Sequence, residues 1–232
     1  MPVGAALLFA LFIALIALLI WFNIVAARKR REAFFALSVK LGLRYDVKDP
    51  FDTVDLPFSL FRKGDTRGAD NVVSGEAAGM RVRLFDYHYT VRSTDAKGNT
   101  SSATYRFSCA MAELDADCPH LILEREGLMS RLSHHLGFHD IEMESEEFNR
   151  SFLVNSADKK FAYAMLDARM MQWLMDEGGI CEYEVLGPLV LCISKPVKPA
   201  EYENLLEVLR RFHSHVPTVV ASLYPRQREG RA

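Results

Sequence analysis

From Val3 to Ala27 the chain carries no charge, and Asn23 is its one strongly polar residue. As a helix this run of 25 residues extends about 37 Å at 1.5 Å per residue. That crosses a hydrocarbon core of about 30 Å with some tilt. Backbone amides in lipid need partners within their own segment, and a helix supplies them. Trp21 and Phe22 fall near its C-terminal end, where aromatic rings favour the headgroup level. Beyond it Ala33, Phe34, Leu37 and Leu41 recur at helical spacing, which predicts a juxtamembrane helix over 28–43 stopped at Gly42.

The next stretch, Asp46 to Asp70, is broken by Pro50, Pro57, Gly64 and Gly68, and reads as loop with an edge strand at Phe58–Phe61. From Asn71 the apolar period becomes two. Strands are predicted over Val72–Ala77 and Met80–Val91, joined by a tight turn at Ala78-Gly79. In the second, Phe85, Tyr87, Tyr89 and Val91 alternate with Asp86, His88 and Thr90. A polar loop over Ser93–Ser101 leads to a strand in which Tyr105, Phe107, Cys109 and Met111 alternate with polar or small residues. Further along, the pattern predicts a short strand at His120–Glu124, a short helix over Gly127–Leu136, and an extended stretch over Asp140–Val154 with a candidate break at Glu146-Glu147. A long helix over Ala157–Asp176 is capped by Asn155 or Ser156 and stopped by Gly178-Gly179. A hairpin pairs Cys181–Val185 with Leu189–Ile193 around Gly187-Pro188. A final helix over Pro199–His215 carries one apolar stripe through Tyr202, Leu205, Leu206, Leu209, Phe212 and Val216.

These elements give an α+β fold: an N-terminal transmembrane helix, then one antiparallel-sheet domain of about seven short strands with mid-chain and C-terminal helices. A pleckstrin-homology-like order, strands closed by a helix, is one form it could take. The expected divisions are an anchor over 1–27, a juxtamembrane helix over 28–43, a single domain over 44–225 and a basic tail over 226–232.

Charge adds orientation. Residues 1–31 hold four bases, Arg28, Lys29, Arg30 and Arg31, and no acid, while the tail holds three bases and one acid. Residues 32–225 are left with 21 bases against 29 acids. A net acidic body argues against nucleic acid as a partner, since phosphate counterion release needs a basic face. The basic cluster follows the apolar run, and the positive-inside tendency puts the N-terminus outside and the domain in the cytoplasm. A cleaved signal peptide, with Val25-Ala26-Ala27 as its processing site, is the rival. It wants a basic leader and a shorter apolar core. The expectation is a single-pass cell-membrane protein whose partner is the membrane itself, with its body open to a protein partner.

No motif for chemistry stands out, and no catalytic, cofactor-binding or metal-ligating residue is assigned. His134, His135, His139 and Asp140 resemble metal ligands by type, but Gly137 interrupts the helix that would align them. His213 and His215 suit the C-terminal end of a helix dipole. Cys109, Cys118, Cys181 and Cys192 lack paired spacing and read as small buried hydrophobes. Ser156-Ala-Asp-Lys159 matches an S-x-x-K spacing without its companion elements, so Ser156 reads as a helix cap. Glu142, Glu144 and Glu146 alternate with Ile141 and Met143 as on an exposed strand face. Phe148 is expected in the core, with Asn149 or Arg150 satisfying polar groups nearby. Asp86 and His88 are the polar pair expected to interact on an aromatic strand.

The runs Phe85-Asp-Tyr-His-Tyr89, Glu144-Ser-Glu-Glu-Phe-Asn-Arg150 and Met170-Met-Gln-Trp-Leu174 resemble a family of uncharacterised single-span bacterial, largely actinobacterial, membrane proteins. The resemblance covers about Arg30 to Pro217 and implies an anchor in a bacterial cell membrane. It carries no catalytic residues over. Two function classes follow: a membrane-anchored, non-enzymatic binding or scaffold domain, or a small tethered enzyme with a convergent site around Asp86, His88 and Glu142–Glu147.

Overall fold

The computed structural model describes residues 3–95, 97–125 and 139–226. The helix expected over Gly127–Leu136, with His134 and His135, lies outside the described residues, as does the tail beyond Arg226. Helix α1 runs unbroken from Val3 to Leu41, about 58 Å at 1.5 Å per residue. Among the described residues it alone is long and apolar enough to cross a membrane. The described side chains as far as Ile24 are exposed, whereas Phe34, Leu37 and Ser38 are buried against the body. Gly42, at φ 68°, ends the helix as expected. Its amide bonds back to Val39 (3.2 Å) and that of Leu43 to Ser38 (2.9 Å), the paired closure of a Schellman motif.

Seven antiparallel strands form one sheet: β1 (Arg44–Lys48), β2 (Thr66–Ala77), β3 (Met80–Thr94), β4 (Thr100–Arg125), β5 (His139–Asp140), β6 (Phe152–Ser156) and β7 (Glu182–Ser194). The predicted turn holds: Ala78 and Gly79 both have positive φ (52° and 75°), as a two-residue hairpin loop requires. The 26-residue strand β4 is the spine. Along one edge it pairs with β3 and then β6; along the other it pairs with β7 from Ser108↔Ser194 to Leu123↔Tyr183.

That spine corrects two expectations. The strands expected at Tyr105–Met111 and His120–Glu124 are one strand, because the ladder to β7 continues across irregularities between Glu113 and Leu121. The expected Cys181–Ile193 hairpin is likewise one strand. Gly187, at φ 55°, bends β7 opposite Cys118 without reversing it, and both halves pair with β4 instead of each other. A continuous partner overrides a turn signal whose own two arms are short.

Other departures are local. Residues 44–48, expected to fall at a helix end and in a loop, form β1 against β2. The expected edge strand at Phe58–Phe61 is instead a short 3₁₀ turn at Leu60–Arg62. The extended stretch is broken at Glu146-Glu147, the candidate break, and the break is a helix, α2 (Glu146–Ser151), with Ser145 Oγ accepting from the Phe148 amide at 3.2 Å. Glu142, Glu144 and Glu146 therefore share no strand face, although all three are exposed. The single long helix is two, α3 (Lys159–Met165) and α4 (Ala168–Asp176). Asp158 and Asp167 cap them by accepting from the Phe161 (3.0 Å) and Met170 (2.8 Å) amides; Ser156 Oγ instead donates to the His120 carbonyl at 2.6 Å. Helix α5 (Tyr202–His215) carries the expected stripe, with Val208 buried and Leu206 only partly so. A further short helix, α6 (Thr218–Leu223), follows Pro217. Helix α2 stands between β5 and β6, and α3 and α4 between β6 and β7, so the strands-then-one-helix order of a pleckstrin-homology domain does not hold.

Both sheet faces are covered. The larger core joins the end of α1 and the later helices to one face through Phe34, Leu84, Leu121, Phe161, Tyr183 and Leu209. On the other face Phe58, Leu60 and Phe61 pack over Phe85, Tyr87 and Phe107. Glu184, fully buried, pins that covering loop: its Oε1 accepts from the Ser59 amide at 2.6 Å and lies 2.6 Å from His120 Nε2.

Phe148 is completely buried and stacks on Phe152 at 4.9 Å, while the Asn149 amide bonds both backbone groups of Met143 (2.8 and 2.9 Å). Removing the Phe148 ring from this packed site is expected to cost about 3–5 kcal/mol, read by denaturant unfolding. Glu146→Ala, at an exposed helix start, should leave the midpoint unchanged; equal effects of the two would refute this packing.

Candidate functional site

The charged run after the membrane segment does more than mark its end. One turn below Ala27, Arg30 turns toward the body and grips Asp86 of β3. Its Nε donates to Oδ2 (2.7 Å) and its Nη2 to Oδ1 (2.6 Å), the bidentate geometry in which guanidinium and carboxylate match best. Nη2 also reaches the Val197 carbonyl at 3.0 Å. Asp86 accepts two more bonds, from Asn71 Nδ2 (2.9 Å) and the Tyr202 hydroxyl (2.8 Å). Tyr45 donates in turn to Asn71 Oδ1 at 2.9 Å. Asn71 can point there because it sits at the β2 irregularity between Asp70 and Val73, with φ 54°. Burial, and then the Asp86 charge, push the Tyr202 phenol well above its ordinary value and keep it a donor. Around the pair, Arg30 lies over the Phe34 ring at 5.2 Å and Phe34 meets Tyr202 edge-on at 4.9 Å.

Beside this node opens a cleft of about 740 Å³. One wall is α1 from Asn23 to Arg31; the other is the sheet, with Lys48, Asp70, Asp86, His88 and Arg106. Lys48 pairs with Asp70 Oδ1 at 2.6 Å, and His88 Nδ1 is 3.6 Å from Asp70 Oδ2. Asp86 and His88 thus line one cleft but bond different partners rather than each other. The structure does not bring Glu142–Glu147 to them. Asp86 lies opposite Ser108 on β4, whereas Ile141 bonds Val154, which lies opposite Leu123 near the other end of that strand.

Two of the remaining sequence candidates make contacts within the body. His215 Nδ1 lies 2.8 Å from the Arg211 carbonyl and its ring stacks on Trp173 at 5.1 Å. Lys159 lies over the Tyr163 ring at 5.6 Å. Among the described residues no group of His, Cys, Asp and Glu is placed to hold a metal ion. A second, smaller cavity of about 430 Å³ includes Arg83 stacked on Phe51 at 4.2 Å.

The four cysteines are free thiols, all buried. Burial, foremost, pushes Cys118 and Cys181 up to about 12, and Cys109 and Cys192 also rise well above the thiol range. A folded-state value above the unfolded one favours the fold fully below the unfolded value. For Cys118 and Cys181 that contribution should fade from about pH 8.5 toward about 12. Alkylation of native protein at mildly basic pH should modify none of the four, and denatured protein all four; a rapidly labelled native thiol would contradict their burial.

The Arg30 and Asp86 side chains are 31% and 19% exposed, so the pair is partly desolvated. A fully buried pair that loses one partner costs about 3–5 kcal/mol; here Asp86→Ala is expected to cost about 2–3 kcal/mol. Arg30→Gln with Asp86→Ala should cost clearly less than the two separately. Strict additivity in detergent-solubilised protein would show that the two residues do not interact.

No protein-family model and no curated protein matches the sequence. Among solved structures the fold is similar to the crystal structure of the mycobacterial trehalose monomycolate transport factor A, TtfA. The two share 14% identity with a TM-score of 0.60, over 88% of this chain and 98% of that one. The likeness shows that the chain folds as that protein does.

Proposed function

We propose that this is a single-pass bacterial membrane protein whose α+β body is a non-enzymatic binding module held against the cytoplasmic leaflet, serving a membrane transport process. The observation that carries the reading is the continuity of α1. The apolar helix enters the body without a linker and is clamped there by Arg30 and Asp86. A rigid mount of this kind suits a module whose task depends on its place at the membrane. The likeness to a trehalose monomycolate transport factor supports a transport-related role, and the separation of Asp86 and His88 from Glu142–Glu147 speaks against the tethered-enzyme alternative.

The one-sided cluster of four bases supports a cytoplasmic body. Because the native thiols are buried, orientation is best read from a new cysteine. Lys97 is exposed in the loop between β3 and β4. Lys97→Cys should resist a membrane-impermeant maleimide on intact cells and react once they are permeabilised; labelling of intact cells would reverse the topology. Photo-crosslinking from the same position in the native membrane should capture an integral membrane transport protein. Recovery of soluble metabolic enzymes alone would overturn the transport role.

A further inference from the structure

We propose that the cleft between α1 and the sheet is a binding site for the phosphate of an anionic phospholipid headgroup, held between Arg31 and Arg106; this rests on the reading that α1 spans the membrane. Position comes first. The cleft wall begins at Asn23, Ala26 and Ala27, the last residues of the apolar run, and ends at Arg31. Arg31 is about 6 Å beyond Ala27 along the axis at 1.5 Å per residue, where the chain leaves hydrocarbon for headgroups.

Charge comes second. The two acids of the cleft are already engaged, Asp86 by Arg30 and Asp70 by Lys48. Arg31 on the helix wall and Arg106 on the β4 wall make no ion pair among the described residues. Among its Arg, Lys, Asp and Glu residues the cleft therefore has two cations in excess, both exposed. Their planar guanidinium forks match the non-bridging oxygens of a phosphodiester. The rest of the body is net acidic and would repel such a ligand elsewhere.

Asn23 supplies the third element. It is the strongly polar residue of the apolar run, faces the cleft, and makes no hydrogen bond among the described residues. An amide at the edge of hydrocarbon is costly unless it finds a partner. A headgroup hydroxyl or ester oxygen in the cleft would provide one. A volume of about 740 Å³ falls within the range of sites that enclose small ligands.

The test uses the full chain in an uncharged detergent, with bound lipid counted by native mass spectrometry. Wild type should retain phosphatidylglycerol in preference to phosphatidylcholine. Since each basic residue near a membrane surface contributes about 1 kcal/mol of attraction, R31Q/R106Q should weaken retention of phosphatidylglycerol about tenfold or more. The charge-matched R62Q/K160Q variant, changed at exposed positions outside the cleft, should bind as wild type does. Both doubles should melt with wild type, which separates lost binding from lost folding. Equal retention by the two doubles, or no preference over phosphatidylcholine, overturns the proposal. So does full displacement by millimolar inorganic phosphate, which would make the site one for the free ion. Carbonate extraction from membranes tests the underlying reading separately: an extractable protein refutes the span, whereas an integral protein without lipid preference refutes the cleft alone.

Discussion

A carboxylate that accepts four hydrogen bonds, two on each oxygen, fixes the relation between the membrane helix and the body. Asp86 receives Arg30 on both oxygens, Asn71 on one and Tyr202 on the other. Each donor comes from a different element, α1, β2 and α5, so one charge ties three of them to β3. Partly buried pairs add little net stability when compared with apolar packing, because desolvation offsets attraction. Their value lies in what they specify. A helix with a uniformly apolar surface has no preferred rotation against a sheet. Once Arg30 is committed to Asp86, residues one and two turns on, Phe34, Leu37 and Ser38, are brought to the buried face. Arg31, about 100° further round the helix, is then turned away from the node and makes no ion pair among the described residues.

The second constraint is the length of β4. A 26-residue strand cannot stay flat, since strands twist as they run. The irregularities between Glu113 and Leu121, and Gly187 opposite them, absorb that twist without ending the ladder. This allows one sheet to carry an aromatic cluster at the end near α1 and a second polar region at the other. There Ile122 lies opposite Glu184 of β7, with Glu182 two residues before it and Glu124 two residues after Ile122. Burial lowers the Lys63 pKa on the covering loop, and the charges of Glu124, Glu182 and Glu184 offset part of that shift.

What could be read from the sequence divides along physical lines. Features set by a few neighbouring residues were legible: the apolar length of the anchor, Gly42 as a stop, Ala78-Gly79 as a turn, and the stripe of α5. Features that depend on a distant partner were not. Gly187-Pro188 has every local sign of a reversal, and only β4 keeps the chain running straight. Asp167 lies inside an apolar helical pattern, and only the three-dimensional structure shows it starting a new helix. Asp86 and His88 could be singled out because polar residues interrupt an aromatic strand. Their true partners could not: Arg30 is 56 positions away and Tyr202 is 116. Arg30 in particular hides among four adjacent bases, all of which serve equally as a topology signal.

Bases after a membrane span are ordinarily interchangeable, since the positive-inside tendency counts charge and not position. Here adjacent residues have been divided by the helical repeat into a structural cation and a free one. Arg30 faces the body and is neutralised; Arg31 faces the cleft and is not. Shifting the helix by one residue would exchange them, placing the free charge against Asp86 and turning Arg30 outward. It would also rotate Phe34 away from Tyr202. The aromatic contact and the ion pair therefore enforce one register together, and the charge that remains at the membrane boundary follows from it.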